Sequence, residues 1–137
     1  MISPKYLAGY FDGDGCISMV KEKSNGSSHG YNHRLICTFT YTNNQILEYI
    51  KYSYGGYICK RIHGGKMKNS YSLCLKDSKA KNLIEEIYNY SLLKKDRIAL
   101  ALSFFSTKMG ERKKITKEKF NQREDIRKRI KITVKEL

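Results

Sequence analysis

The sequence predicts an α+β domain with the element order αββαββα, in which helices cover one face of a four-stranded antiparallel sheet. Three observations indicate this class. Helix and strand periodicities alternate along the chain, glycine-containing polar loops separate the paired strands, and no linker or low-complexity tract interrupts the 137 residues. This length predicts one domain over residues 1–137, with 109–137 as a charged, helical C-terminal extension.

The first helix is predicted from the residues that begin and end it. Ser3 is a good N-cap and Pro4 is a good first helical residue. Gly13 and Gly15 follow the apolar positions closely and favour the end of the helix there.

Periodicity predicts the remaining elements. Alternation is clearest from residue 34 onward, where one face of a half-buried strand is predicted to carry Leu35, Cys37, Phe39 and Tyr41. Asp77 is predicted to cap an amphipathic helix. In chain order, the sequence predicts strands at 16–23, 34–42, 57–63 and 70–76, and helices near 44–53, after Asp77, near 95–108 and near 117–131.

The charge of the chain indicates a polyanionic partner. The formal net charge is +14, which is typical of proteins that bind nucleic acid or an acidic membrane surface. No apolar run is long enough to span a membrane, and the N-terminus resembles neither a signal peptide nor a transit peptide. We therefore expect no membrane partner and no secretion. The expected location is an organelle matrix or stroma where the protein is encoded, or a bacterial or phage-infected cytoplasm.

The non-core face of the predicted sheet is the expected nucleic-acid surface. Between residues 23 and 76 the chain carries eight Lys and Arg but only one acid, Glu48. Such a face can donate hydrogen bonds to phosphates and to base edges, although a solvated sheet face would show the same charge. The candidate DNA-binding residues are Arg34, Thr38, Thr40, Tyr57, Arg61, His63, Lys66, Lys68 and Ser72.

Two carboxylates at the end of the first helix indicate a metal site. Asp12 and Asp14 lie where backbone carbonyls already make the potential negative, so their charge requires compensation. Mg²⁺ bridging acid and phosphate would provide it, with metal-assisted phosphodiester hydrolysis as the chemistry. A calcium-binding loop is excluded because Ile17 and Lys23 occupy its required glycine and glutamate positions. A purely structural turn capped by the two acids remains an alternative.

Residues 7–15, LAGYFDGDG, resemble the signature of the LAGLIDADG homing endonucleases. The resemblance extends through the order of helices and strands to about residue 108. The positions identical to the signature are Leu7, Ala8, Gly9, Asp12, Asp14 and Gly15.

The resemblance implies roles for five residues. Asp14 would be the metal ligand and the carbonyl of Gly13 would assist it. Lys94, with Lys95 as an alternative, would lie near the scissile phosphate. Asn43 would order water at the end of the second strand, where the family often has glutamine. The implied cofactor is Mg²⁺, with Mn²⁺ as an alternative ion.

A single copy of the motif indicates a homodimer, because cutting both strands of a duplex requires two such sites. Lys5, Ala8, Gly9 and Asp12 are predicted to form a narrow helix face of mostly small side chains, which would pack on the same helix of a second copy. Packing of this face within one subunit is the alternative. A dimer of this kind would recognise a long, nearly palindromic target.

The sequence therefore predicts a site-specific double-strand DNA endonuclease. Two other functions fit the same residues: an RNA maturase that binds intron RNA and assists splicing, and a DNA-binding regulator that has lost cleavage. Residues 111–131 hold ten basic and four acidic side chains, which indicates either a solvated helix or one that contacts phosphates.

Overall fold

The computed structural model describes residues 2–26, 29–62, 64–65, 69–107 and 115–135, with side chains as far as Lys131. The predicted order αββαββα is confirmed. A 3-10 turn, Tyr88–Tyr90, precedes the fourth helix. The elements are α1 (Pro4–Asp14), β1 (Gly15–Lys23), β2 (Tyr31–Tyr41), α2 (Asn44–Tyr54), β3 (Tyr57–Arg61), β4 (Ser70–Lys76), α3 (Ser78–Ile87), α4 (Lys95–Phe105) and α5 (Lys117–Lys135).

The four strands form one antiparallel sheet in the order β1-β2-β4-β3. β1 and β3 are therefore the edge strands, and the two hairpins meet where β2 pairs with β4. Ile17 pairs with Cys37 and Cys37 pairs with Leu75, so one row of buried side chains crosses three strands. Because side chains alternate along each strand, the next row points to the opposite, outer face.

The hydrophobic core lies between the sheet and the helices. Leu7 and Phe11 of α1 are fully buried, and the ring of Phe11 meets the ring of Phe39 at 5.4 Å and 65°. A Cβ atom at Gly15 would collide with the Phe11 ring, so the last glycine of the motif permits close packing of α1 on β1. Tyr41, predicted on the core face, is 44% exposed at the end of β2 and contacts Tyr10 edge to face.

The structure differs from the prediction at the start of β2 and at the cap of α3. β2 begins at Tyr31 rather than at residue 34, because His33 pairs with Lys21 of β1 and is buried beneath α5. Asp77 stands at the N-cap of α3 but makes no capping hydrogen bond through its side chain. It adopts φ 54°, a left-handed conformation that is uncommon for a residue other than glycine.

α5 packs across α4 and β1. Ile126 and Ile130 join the core, and Arg123 donates hydrogen bonds to the side chain and carbonyl of Thr107. Among the described residues, no helix has the length and apolar character needed to cross a membrane.

Candidate metal and nucleic-acid site

The two acids of the motif have different surroundings. The carboxylate of Asp12 accepts hydrogen bonds from the Ser91 hydroxyl and from the backbone N–H groups of Leu92, Leu93 and Lys94, at 2.5–3.3 Å. These residues directly precede α4, and the electrostatic potential at the N-terminus of a helix is positive. Burial raises the pKa of Asp12, but the hydrogen bonds outweigh it and hold the pKa below its usual value. Protein groups therefore compensate the charge of Asp12 without a metal.

Asp14 is the acid that remains available. It is the last residue of α1, its side chain is exposed, and within the described ranges it makes no hydrogen bond or ion pair. The exposed Gly13 precedes it. The neighbouring Tyr10 has a buried hydroxyl that lacks a partner among the described residues, and burial together with the Asp14 charge raises the Tyr10 pKa to about 12.

Lys94 meets the C-terminal end of α1. Its ammonium donates hydrogen bonds to the carbonyls of Phe11, at 2.8 Å, and Gly15. The side chain is buried, and burial followed by the charge of Arg97 lowers the Lys94 pKa, while the charge of Asp14 opposes this shift. An ammonium has three N–H donors, so these two carbonyls leave one N–H unused. The alternative, Lys95, is exposed, and its ammonium lies 4.9 Å from the ring centre of Tyr88.

Asn43 has a structural role that the sequence did not predict. It is the N-cap of α2, and its side-chain oxygen accepts a 2.8 Å hydrogen bond from the Gln45 N–H. Its amide NH₂ has no partner among the described residues. Asn43 also lines a groove with Tyr41 and Tyr49.

These residues fit a divalent ion that keeps most of its own water. No group of three or more His, Cys, Asp or Glu within the described residues could hold a metal alone. Mg²⁺ does not require such a cage, because it binds through one or two carboxylates together with phosphate oxygens and water. One unpaired carboxylate and an adjacent carbonyl, at a helix end of negative potential, match that donor set.

The outer face of the sheet carries the predicted DNA-binding side chains that the structure describes. They are polar and lie on three adjacent strands, and Thr40 and Ser72 share a 2.9 Å hydrogen bond between hydroxyls. Tyr57 and Arg61 are exposed on β3. His63, Lys66 and Lys68 lie outside the described residues. Those that are described and lie on this face are Arg34, Thr38, Thr40, Tyr57, Arg61 and Ser72.

β1 also contributes side chains to the outer face of the sheet, and the sequence-based prediction did not include them. Ile17 and Met19 are buried, so the side chains between and after them face outward with the candidate DNA-binding residues. The same alternation was present in the sequence and would have identified them. The outward residues of β1 are Cys16, Ser18, Val20 and Glu22.

The predicted dimer face of α1 is partly wrong. Ala8 is fully buried inside its own subunit, so its side chain is not available to a second copy. The Asp12 carboxylate is occupied by residues of the same subunit. Lys5 and Gly9 are exposed as predicted.

The exposed side of α1 contains two glycines and a tyrosine. Gly9 and Gly13 are four residues apart and share a helix face, and Tyr6 is 59% exposed. A Cβ atom at either glycine would meet nothing within 4 Å. The open helix face therefore includes Gly13 and Tyr6 in place of Ala8 and Asp12.

The chain is an αββαββα domain. The last residue of its first helix, Asp14, is an acid without a partner among the described residues. It lies at the start of an edge strand, beside the polar face of the sheet. The family model for the LAGLIDADG endonuclease matches residues 7–106. The chain therefore belongs to the LAGLIDADG endonuclease family, a family of DNA-binding nucleases. No curated protein sequence matches the chain.

Solved structures share this fold. The homing endonuclease I-CvuI, bound to the I-CreI target with Mg and with the DNA not cleaved, has a TM-score of 0.79 and 20% identity, covering 95% of this chain and 80% of that one. The archaeal intron-encoded homing endonuclease I-Vdi141I, complexed with DNA, has a TM-score of 0.77 and 17% identity, covering 95% and 82%. Against the meganuclease I-SmaMI, bound to uncleavable DNA, the TM-score is 0.75 at 19% identity, covering 92% and 44%.

Proposed function

We propose that the chain is a homodimeric, Mg²⁺-dependent, site-specific DNA endonuclease that cuts both strands of a long, nearly palindromic duplex. The observation that carries this proposal is the contrast within the motif. The Asp12 carboxylate accepts hydrogen bonds from groups of its own subunit, whereas the Asp14 carboxylate is exposed and unpaired among the described residues. A carboxylate at a helix C-terminus lies in a negative electrostatic potential, so a bound cation would stabilise it there.

Each residue of the site would have a separate task. Asp14 would hold the ion, with the Gly13 carbonyl as a second oxygen donor. Bound Mg²⁺ supplies Lewis-acid stabilisation of charge on the phosphate and lowers the pKa of water. Lys94 would fix the end of α1 through its two carbonyl contacts and direct its third N–H to the phosphate. The Asn43 amide would orient water near the scissile bond.

Relatives support this proposal at the level of substrate class. I-CvuI and I-Vdi141I are described in complex with DNA, and the I-CvuI complexes were obtained in the presence of Mg or Ca. I-CvuI and I-Vdi141I match this chain over 80% or more of their length, and I-SmaMI over 44%. The coverage of less than half of I-SmaMI agrees with the proposal that this chain supplies one half of the enzyme and that a second copy supplies the other half.

The test is cleavage of a plasmid that carries the insertion-site sequence of the protein's own gene. We expect double-strand cleavage with Mg²⁺ and none with EDTA. Asp14→Asn should reduce cleavage by about a thousandfold or more, since a metal ligand contributes several kcal/mol to transition-state stabilisation, with DNA binding retained.

Glu118→Gln is the matched control, because Glu118 is exposed on α5 and remote in sequence from the motif. Its cleavage should equal that of the wild type. DNA binding without nicking in Mg²⁺ or Mn²⁺ would favour the regulator, and preferential binding of intron RNA with promotion of splicing would favour the maturase.

A further inference from the structure

Arg34 is held between two acids on the outer face of the sheet. Its Nε lies 3.6 Å from Oε2 of Glu22 and 3.7 Å from Oδ2 of Asp77. The three side chains are 44%, 48% and 35% exposed, so solvent or DNA can reach them. They come from three places in the chain: the outward side of β1, the middle of β2 and the residue after β4.

The conformation of Asp77 is not explained by the helix that follows it. An aspartate at an N-cap normally accepts a hydrogen bond from the first turn, yet the Asp77 side chain accepts none. Its backbone adopts φ 54° and ψ −117° and is fixed by a 2.9 Å hydrogen bond from its N–H to the Leu35 carbonyl. Asp77 thus has an unfavourable backbone conformation and makes no capping hydrogen bond, and its carboxylate lies near Arg34 instead.

This arrangement leaves one edge of the guanidinium open. Both carboxylates approach Nε, and neither terminal nitrogen of Arg34 makes a hydrogen bond within the described part of the chain. The two terminal nitrogens form a planar fork that matches O6 and N7 of guanine in the major groove. Because the acids orient the fork beforehand, less conformational entropy is lost when it binds.

The acids also favour a base over a phosphate. Two carboxylates and one guanidinium carry a net formal charge of about −1, which repels a phosphate. A base edge is neutral, and each carboxylate can accept a hydrogen bond from the amino group of a neighbouring cytosine.

Arg61 differs from Arg34 in its electrostatic environment. It is exposed on the same sheet face, and no carboxylate lies within 4 Å of it among the described residues.

We propose that Arg34 is a specificity-determining residue that reads one guanine in each half-site, and that Glu22 and Asp77 are its positioning residues. This inference rests on the proposed function only in requiring that the sheet binds duplex DNA. It does not require cleavage, a metal or a particular target sequence.

The experiment selects bound duplexes from a random library with the full-length wild-type protein, in metal-free buffer, and then measures the Kd of single-base variants. We expect the wild-type consensus to contain one G·C pair per half-site that Arg34→Gln no longer prefers. The ratio between the Kd of a duplex with another base pair at that position and the Kd of the G·C duplex should fall about 5- to 150-fold. The slope of log Kd against log salt should stay unchanged. Glu22→Gln and Asp77→Asn should weaken the same preference and improve binding to scrambled DNA.

Arg61→Gln is the matched control. It should weaken binding to all sequences alike and reduce the salt slope by about 1, as expected for loss of a phosphate contact. A salt slope reduced in Arg34→Gln, or a wild-type consensus whose G·C preferences survive in Arg34→Gln, would overturn the inference while leaving the proposed nuclease intact. Failure of the wild type to bind any duplex would overturn both.

Discussion

At the scale of single residues, the first acid of the motif stabilises the fold. The Asp12 carboxylate connects α1 to the residues before α4, because it accepts hydrogen bonds from four donors there. Its folded-state pKa lies below the ordinary value, so its contribution to stability is complete above the unfolded pKa near 3.8 and is lost as the pH falls through the folded pKa.

Asp12→Asn tests this role. An asparagine keeps the shape but replaces a charged acceptor by a neutral one and brings an NH₂ group against backbone N–H donors. We expect the free energy of unfolding at pH 7 to fall by about 2–3 kcal/mol, measured by urea denaturation. Glu48→Gln, at an exposed carboxylate, should change it by less than about 0.5 kcal/mol. Equal stability of the two variants would contradict the role.

The resemblance assigned the metal to Asp14 and not to Asp12, but the sequence did not predict which groups hold Asp12. The donors to Asp12 lie about eighty residues away in sequence, and only the fold brings them to α1. The same limit applies to Arg34. The stretch between 23 and 76 looked almost free of acids, yet Glu22 and Asp77, one residue beyond each end, are the ones that approach Arg34.

At the scale of elements, α5 is attached to the β1-β2 hairpin through a polar contact. Nε2 of His33 lies 2.5 Å from Oε1 of Glu124, while Nδ1 is buried without a partner among the described residues. A protonated ring would leave a buried N–H unsatisfied, so the geometry favours a neutral imidazole that donates from Nε2. Burial lowers the His33 pKa more than Glu124 raises it, which agrees with the neutral ring.

The attachment of α5 should weaken in acid. His33 has a folded pKa below 6.5, so its contribution is present above that pH and declines below it, where the unfolded chain takes up the proton first. Burial raises the pKa of Glu124, but Arg127 and His33 lower it overall to about 2, so its contribution declines between pH 4.5 and about 2. Glu124→Gln should cost about 2 kcal/mol at pH 7, with a smaller difference from wild type at pH 3, measured by urea unfolding.

Glu85→Gln is the control for this contact. Glu85 forms an exposed pair with Lys81 within α3, so its loss should cost less than about 0.5 kcal/mol at any pH. A Glu124→Gln variant as stable as Glu85→Gln would show that Glu124 does not help to hold α5, and that Ile126, Ile130 and Arg123 hold it instead.

The elements themselves were largely predictable because each has a local signal. Ser3, Pro4 and Gly15 mark α1, and alternation marks β2 from Leu35. The start of β2 was misplaced because Tyr31 and His33 look like polar loop residues, and the burial of His33 depends on α5, which follows much later in the chain. Packing between distant elements has no local signal, so the docking of α5 was not predictable.

At the scale of the whole molecule, the open face of α1 is costly for a single subunit. Glycine in a helix interior is about 1 kcal/mol less favourable than alanine, and α1 carries Gly9 and Gly13 where a side chain would meet nothing. The monomer gains no packing from their small size. Because the two glycines have no side chains, a second α1 could approach this face closely. That approach would bring two Asp14 carboxylates to the same region, as cutting both DNA strands requires.

Gly9→Leu separates folding from assembly. In the monomer the leucine has free space and replaces a poor helix former, so the free energy of unfolding should stay equal or rise by about 1 kcal/mol. Between two helices it would prevent close approach. We therefore expect a folded monomer in analytical ultracentrifugation and loss of double-strand cleavage. Ala99→Leu, at an exposed position of α4, should leave both unchanged. A Gly9→Leu protein that remains dimeric and cuts both strands would place the two-fold axis away from α1.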